Sequence, residues 1–307
     1  MSDNEFVTIE NGSLAVRIAP KGAEMQSIVC DGIERLWCGD PAVWGRHAPL
    51  LFPLIGRLRD GYYELDGRRI DAPTHGFCRD RVFSVERLSD AAVRFATCDD
   101  EETRAVFPFA FRLSVAYALE GSSVVKTHCI ENRGDVPLPF EIGGHEAYAT
   151  CLLPGETMED YYVRFGAADK GADEAAGVWV DCAEMFAMDE DGILDVPKIV
   201  VPLEAGCLTK TPEQLGIDTI VLEGVPGSTA TLASRKSDRA VTVEFPDFPY
   251  LGIWTKPMGV QTRYLCIEPW SALPDAHFSP RELAERPGVR TVAPGEAVEL
   301  TYRMTFR

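Results

Sequence analysis

Apolar and polar positions alternate along much of this chain. In FRLSVAYAL (111–119), Phe111, Leu113, Val115, Tyr117 and Leu119 fall on one face, the period-two signature of a half-buried strand. VFSVERL (82–88), AVRFAT (92–97), VVKTHCI (124–130) and VELTYRMTF (298–306) repeat it. Between and around such segments stand Asn11-Gly12, Asp31-Gly32, Asp60-Gly61, Asp66-Gly67 and Asp191-Gly192. Both residues of these dipeptides tolerate positive φ, so they favour tight hairpin turns. Helical patterning is sparse. In SPRELAERPG (279–288), Ser279 is placed to cap, Pro280 suits a first turn, Glu282 completes a capping box and Pro287-Gly288 stops the run, which predicts a short helix. TPEQLG (211–216) predicts one more turn, the acidic DDEET (99–103) a solvated hairpin tip or loop, and 154–200 the least regular, loop-rich stretch. Many short strands without interleaved helices predict an all-β fold, an antiparallel sandwich or barrel with a few short helices. One large domain over residues 1–307 is expected.

Composition narrows the setting. The chain is 46% hydrophobic and 25% charged, an ordinary globular profile. Cys30, Cys38, Cys78, Cys98, Cys129, Cys151, Cys182, Cys207 and Cys266 are scattered without a C-x-x-C pair. No zinc spacing results, and reduced, mostly buried thiols are expected. The start MSDNEFVTIENGS is acidic where a signal peptide carries a basic then apolar run, and no apolar stretch approaches the ~20 residues of a membrane helix. A formal net charge of −18 argues against nucleic acid and anionic lipid surfaces as partners. It also weighs against a polyanionic substrate. The expected location is the cytoplasm.

Three places gather polar residues in apolar, glycine-containing surroundings. In the first, Arg57 follows Gly56 and His75 precedes Gly76; in the second, PFEIGGHEAYAT (139–150), His145 follows Gly143-Gly144 and precedes Glu146; in the third, YLCIEPW (264–270), Glu268 precedes Pro269 and Trp270. Alternation puts Tyr264, Cys266 and Glu268 on one face, and the proline is expected to end regular pairing and leave the carboxylate at a strand end. A carboxylate with apolar neighbours is a stronger base than a solvated one, and Trp270 offers a flat apolar wall of the kind pyranose C–H faces stack on. Each residue also has a plainer reading: Glu268 as an arginine's partner, His145 as a hydrogen-bonded structural histidine, Arg57 as a carboxylate's partner. The glycines admit either a ligand or a neighbouring strand. His47 and His128 read as structural, His277 as a loop residue, and Arg79, Asp80 and Arg81 as a local salt-bridge cluster. The shortlist of His75, His145, Glu268 and Arg57 suits general acid–base work on a neutral polyhydroxylated molecule, and no phosphate-cradling or metal-spacing motif accompanies it.

At these residues the chain resembles the aldose 1-epimerase (mutarotase) family, particularly its LacX-like branch. The matching pieces run in the family's order: GRLRDGYYELDGRRIDAPTHGF, GGHEAY, FPYLGIWTKP, CIEPW followed by Asp275, and the closing PGEAVELTYRMTF. The resemblance implies a large β-sandwich of the galactose mutarotase type with the sugar in a concave face. It further implies Glu268 as base, His145 as acid, and His75, Arg57 and Asp218 as sugar-binding residues. Its ligand is a small-molecule sugar, a hexose such as glucose or galactose; no cofactor is needed, and a monomer or homodimer is expected. Two departures stand out. Where the branch usually reads GGHPAF, Glu146 and Tyr148 stand here, so that Glu146 either acts on His145 through charge or an ion pair, or points away. Where a small glycine-containing turn usually follows EPW, the chain reads SALPD, a loop expected beside the site and bearing on substrate preference. Rival readings are a non-catalytic carbohydrate-binding or regulatory protein, a glycosidase with Glu146 joining Glu268 in the cleft, and a sugar-phosphate epimerase with a basic rim from Arg79, Arg81 and Lys256.

Overall fold

A computed structural model describes residues 6–166, 181–189, 191–195, 198–258 and 262–307. The alternating segments become five adjacent strands, counted in from one edge, of a nine-stranded antiparallel sheet. Ser84–Ser89, Ala92–Cys98, Phe111–Glu120, Ser123–Asn132, Ala297–Phe306, Ala240–Glu244, Thr229–Ser234, Tyr161–Phe165 and Cys207–Leu208 pair in that order. An eight-stranded sheet carries Leu50–Leu51, Gly143–Gly144, Glu146–Ala149, Tyr264–Trp270, Tyr250–Trp254, Thr219–Glu223, Cys182–Ala187 and Ile199–Pro202. A four-stranded meander, Val7–Glu10 through Ile33–Glu34, completes the main architecture. Leu113, Val115 and Leu300 of the first sheet and Leu265, Ile267 and Ile253 of the second belong to one buried apolar cluster. The fold is therefore the expected all-β antiparallel sandwich. Among the described residues no helix is long and apolar enough to cross a membrane.

Turn chemistry works where two strands flank it directly. Asp31 and Gly32 (φ 52 and 74) join paired strands, as do Asp66 and Gly67 (φ 52 and 70), each with both residues left-handed as a two-residue hairpin requires. Asp60-Gly61 instead closes the short 3-10 turn Arg59–Gly61 that leads into Tyr62–Leu65. TPEQLG supplies the expected turn, Glu213–Leu215, with Gly216 left-handed.

Three local expectations fail. DDEET is no hairpin tip: Asp100 accepts from Thr103 N while Thr103 Oγ1 accepts from Asp100 N, a reciprocal cap that starts the α-helix Glu101–Val106. The predicted 279–288 helix shrinks to one 3-10 turn, Leu283–Glu285. Tertiary contacts take its signals away, because Glu282 accepts from Asp66 N and Gly67 N instead of capping, and Ser279 Oγ has no partner. The nine cysteines are free, but only Cys30, Cys78 and Cys266 are buried, while Cys38, Cys98 and Cys182 are exposed. Within the stretch read as irregular, 167–180, 190 and 196–197 lie outside the described residues, while Tyr161–Phe165 and Cys182–Ala187 are ordinary strands.

Candidate active site

The strand Tyr264–Trp270 is buried at every residue. Pro269 does not end its pairing: Leu251 lies opposite Pro269, and Tyr250 opposite Trp270. Glu268 is therefore an interior strand residue, with Pro269 and Trp270 continuing the pairing beyond it. Glu268 stands opposite Gly252, and Trp270 lies across the glycines on either side. A Cβ on Gly252 would come within 2.5 Å of Trp270 Cζ2, and one on Gly143 within 2.6 Å of Trp270 Cδ1. Trp270 is thereby sunk into the sheet surface with 2% exposure. It is the floor of the site, not the open wall that the sequence suggested.

GGHEAY distributes its side chains to opposite faces. Glu146, opposite Ile267, faces the interior of the sandwich; His145 faces outward with Glu268. Neither Gly143 nor Gly144 has a positive φ, so conformational freedom is not their role. Gly144 makes room for the interior: a Cβ there would meet Tyr302 Oη at 2.1 Å and Glu146 Oε2 at 2.4 Å. The pair of glycines serves neighbouring side chains, not the approach of a ligand. Glu146 does not touch His145; its Oε1 accepts from Lys126 Nζ at 2.8 Å and Tyr302 Oη at 2.5 Å.

His145 and Glu268 meet across the outward face, His145 Nδ1 lying 3.4 Å from Glu268 Oε1. His145 stacks on Trp44 (ring centroids 5.0 Å apart, 27° between planes) and meets Trp254 edge-on at 5.5 Å. Its other neighbour is His75, 5.7 Å away and nearly perpendicular. His75 is left-handed (φ 63) and Gly76 follows at φ 66; a Cβ on Gly76 would collide with Phe52 O at 2.2 Å, which explains the HG dipeptide. Gly56 N donates to His75 Nδ1 at 3.0 Å and His75 N donates to Gly56 O at 2.8 Å. With Nδ1 accepting, the neutral ring carries its proton on Nε2. The same clamp holds the loop that bears Arg57, and Asp275 secures its far side by accepting from Arg59 N at 2.8 Å.

These residues line one pocket of about 230 Å³, and all six sequence candidates, Arg57, His75, His145, Asp218, Glu268 and Trp270, are on it. That volume falls below the roughly 300–1,000 Å³ of sites for drug-sized ligands, a size for one small molecule. The SALPD loop does not border it. Ser271 through Asp275 are buried, with Pro274 packed against Gly56, so this departure buttresses the Arg57 loop from behind. Sequence reasoning missed Trp44, Trp254 and Met188 as walls. Trp254 shares a face with Gly252 and Glu268 only through the register Trp254↔Cys266, and Trp44 arrives from a loop that carries no pattern. Arg79 lines this pocket and also an adjoining hollow of about 530 Å³ with Lys21 and Arg46. The expected cluster forms in part: Asp80 pairs with Arg46 at 3.0 Å and Arg79 at 3.7 Å, while Arg81 turns to Asp100. His277 is more than a loop residue, since its Nε2 lies 2.8 Å from Asp189 Oδ2, next to Met188.

Burial dominates the electrostatics. It pushes His145 down to about 3, with Arg79 and Arg46 adding to the effect against the ring's contact with its own backbone carbonyl. His75 is lowered by burial and by His145, Arg79, Arg46 and Arg57. Glu268 is raised by burial first and then by the Glu146 and Asp218 charges, with the Trp270 indole opposing. Low dielectric favours the uncharged form of each group, so burial acts on both in the same sense, towards imidazole and carboxylic acid. Among the described residues His145 Nδ1 and Glu268 Oε2 have no hydrogen-bond partner within bonding geometry. With Cys266, His145 and Glu268 also form a group whose ligand atoms lie within 4.8 Å of one another; Cys266 is not on the pocket wall.

Known proteins resemble this chain over nearly its whole length. The family model described as aldose 1-epimerase matches residues 5–304. Protein LacX (chromosomal) of Lactococcus lactis subsp. lactis is 29% identical over 310 residues, 98% of this chain and 99% of that protein. A galactose mutarotase-related enzyme from Lactobacillus acidophilus superposes with a TM-score of 0.88 at 28% identity, covering 99% of this chain and 97% of the other. A galactose mutarotase-like protein from Lactobacillus casei gives 0.86 at 29%, covering 99% and 100%.

Proposed function

The chain belongs to the aldose 1-epimerase family, and from that premise we propose that it interconverts the α and β anomers of a hexose by opening and reclosing the pyranose ring. The observation that carries the proposal is the pair His145 and Glu268, 3.4 Å apart on one pocket. Sugar hydroxyls that donate to Glu268 replace the solvation it lost on burial and favour its ionised form, so the proton passes to His145. Glu268 then takes the O1 proton while His145 protonates O5. The C1–O5 bond breaks with its electron pair going to O5, and C1–O1 becomes the aldehyde. Rotation about C1–C2 and the reverse proton transfers close the ring on the other carbonyl face. Proton transfers of this kind contribute typically ~10²–10⁴-fold. His75 Nε2–H, Arg57 and Asp218 are assigned to sugar hydroxyls, Trp44 and Trp254 to the apolar C–H faces. The scheme needs no cofactor and is assigned to a cytoplasmic protein acting as monomer or homodimer.

One observation favours a second reading, a phosphorylated hexose. Among the described residues no carboxylate pairs with Arg57, and Arg79 reaches from the pocket into the adjoining hollow, where Lys21 and Arg46 stand with Asp80 and Glu24. The glycosidase reading loses its second carboxylate, since Glu146 faces the interior. The test is polarimetry with fresh α-D-glucose, α-D-galactose and α-D-glucose 6-phosphate. Acceleration of any of the three supports the epimerase, and a preference for the last supports the phosphorylated substrate. Binding of sugar with no acceleration of any leaves a carbohydrate-binding protein.

A further inference from the structure

Beneath the pocket, the structure carries an ion pair that the proposed chemistry does not use. Lys126 comes from Ser123–Asn132 of the nine-stranded sheet and Glu146 from the other sheet; both side chains have 0% exposure. Tyr302, directly opposite Lys126 in the register, donates to the same Glu146 oxygen. Taking two charges out of water carries a desolvation penalty that the attraction between them often fails to recover, and an apolar pair of similar volume commonly serves stability as well. Stability therefore gives a weak reason for this pair. Its position gives a stronger one. Glu146 is bonded to His145 along the chain and lies opposite Ile267, the neighbour of Glu268.

We propose that Lys126 and Glu146 are positioning residues of the acid–base site: their cross-sheet pair anchors the backbone presenting His145 and sets a negative charge behind Glu268, on the interior side of the sheet. The inference rests on the epimerase reading and deepens it. Glu146 is the largest charge acting on Glu268, and it acts in the direction of retaining the proton. The groups facing Glu146 are Lys126, Tyr302, Tyr117, Tyr148 and Cys266. Those facing Glu268 are His145, Asp218, Cys266 and Tyr264. Among these only Lys126 is a cation, and it sits on the far side of Glu146, so the pair's negative end is turned towards the site.

The test uses Glu146→Gln and the double variant K126M/E146Q, compared with wild type by mutarotation kinetics across pH. A displaced reacting group costs up to ~10²-fold in rate, so kcat is expected to fall roughly 10- to 100-fold in Glu146→Gln with KM little changed. The alkaline limb should move to lower pH, furthest in Glu146→Gln, where Lys126 is left unopposed, and less in the double variant, where both charges are gone. Independently of any substrate, the protonated Glu268 carboxyl, assigned in difference infrared spectra by its loss in Glu268→Gln, should titrate at lower pH in the same order. A folded Glu146→Gln protein whose carboxyl titration superposes on wild type overturns the inference. If the carboxyl shifts while wild type accelerates no sugar, the epimerase reading fails and the electrostatic link stands.

Discussion

Two buried carboxylates on adjoining strands, Glu146 and Glu268, differ in one respect. Both have exposures near zero, and each leaves its Oε2 without a hydrogen-bond partner among the described residues, but Glu146 Oε1 meets a lysine and a tyrosine hydroxyl, whereas Glu268 Oε1 lies 3.4 Å from the Nδ1 of a histidine. A buried carboxylate costs free energy that its surroundings must offset. On the interior face the protein supplies a fixed cation, Lys126; on the pocket face it supplies a titratable imidazole, His145. The same contrast separates Glu141, raised to about 7 by burial but paired with Arg286 at 3.2 Å and accepting from Ile55 N, from Glu268.

The largest effect that would break the comparison is on rate. Glu268→Gln and His145→Asn are each expected to lower catalysed mutarotation by roughly 10²–10⁴-fold with the fold intact. The double variant should be little worse than either single one, since the two act as a unit. Wild-type rates in either single variant, followed by polarimetry, would remove these residues from the mechanism.

Stability sharpens the other side of the comparison. Lys126→Met strands Glu146 as a buried charge and is expected to cost about 3–5 kcal/mol in urea unfolding, with K126M/E146Q recovering most of it. A loss under about 1 kcal/mol in Lys126→Met would mean that the pair behaves as a surface bridge does. The smallest effect concerns the floor. Gly252→Ala drives a methyl group into Trp270, an overpacking expected to cost about 1–3 kcal/mol and to lower kcat/KM by tilting the indole beside Glu268. Unchanged kinetics in a destabilised variant would make Trp270 purely a packing residue.

Glu268, His145, His75 and Arg57 were legible because each stands where a local pattern breaks: a carboxylate in an apolar strand, or a histidine or arginine next to glycine. Why those glycines are there was not legible. Gly143 and Gly252 accommodate Trp270, and Gly144 accommodates Tyr302, from a strand more than a hundred residues away. The failed helix at 279–288 has the same cause, since Glu282 was taken up by the Asp66-Gly67 turn.

By itself the sequence determined the strands and many of the turns, because side-chain alternation and left-handed dipeptides act over a few residues. It also determined which groups were able to carry acid–base chemistry. Only the tertiary structure decided which face each group occupies and which partner it meets. A one-residue step along GGHEAY turns a side chain from the pocket to the interior, and whether a carboxylate there is neutralised or left reactive depends on what a distant strand brings opposite it. Lys126 and Tyr302 reached Glu146; the imidazole of His145 reached Glu268.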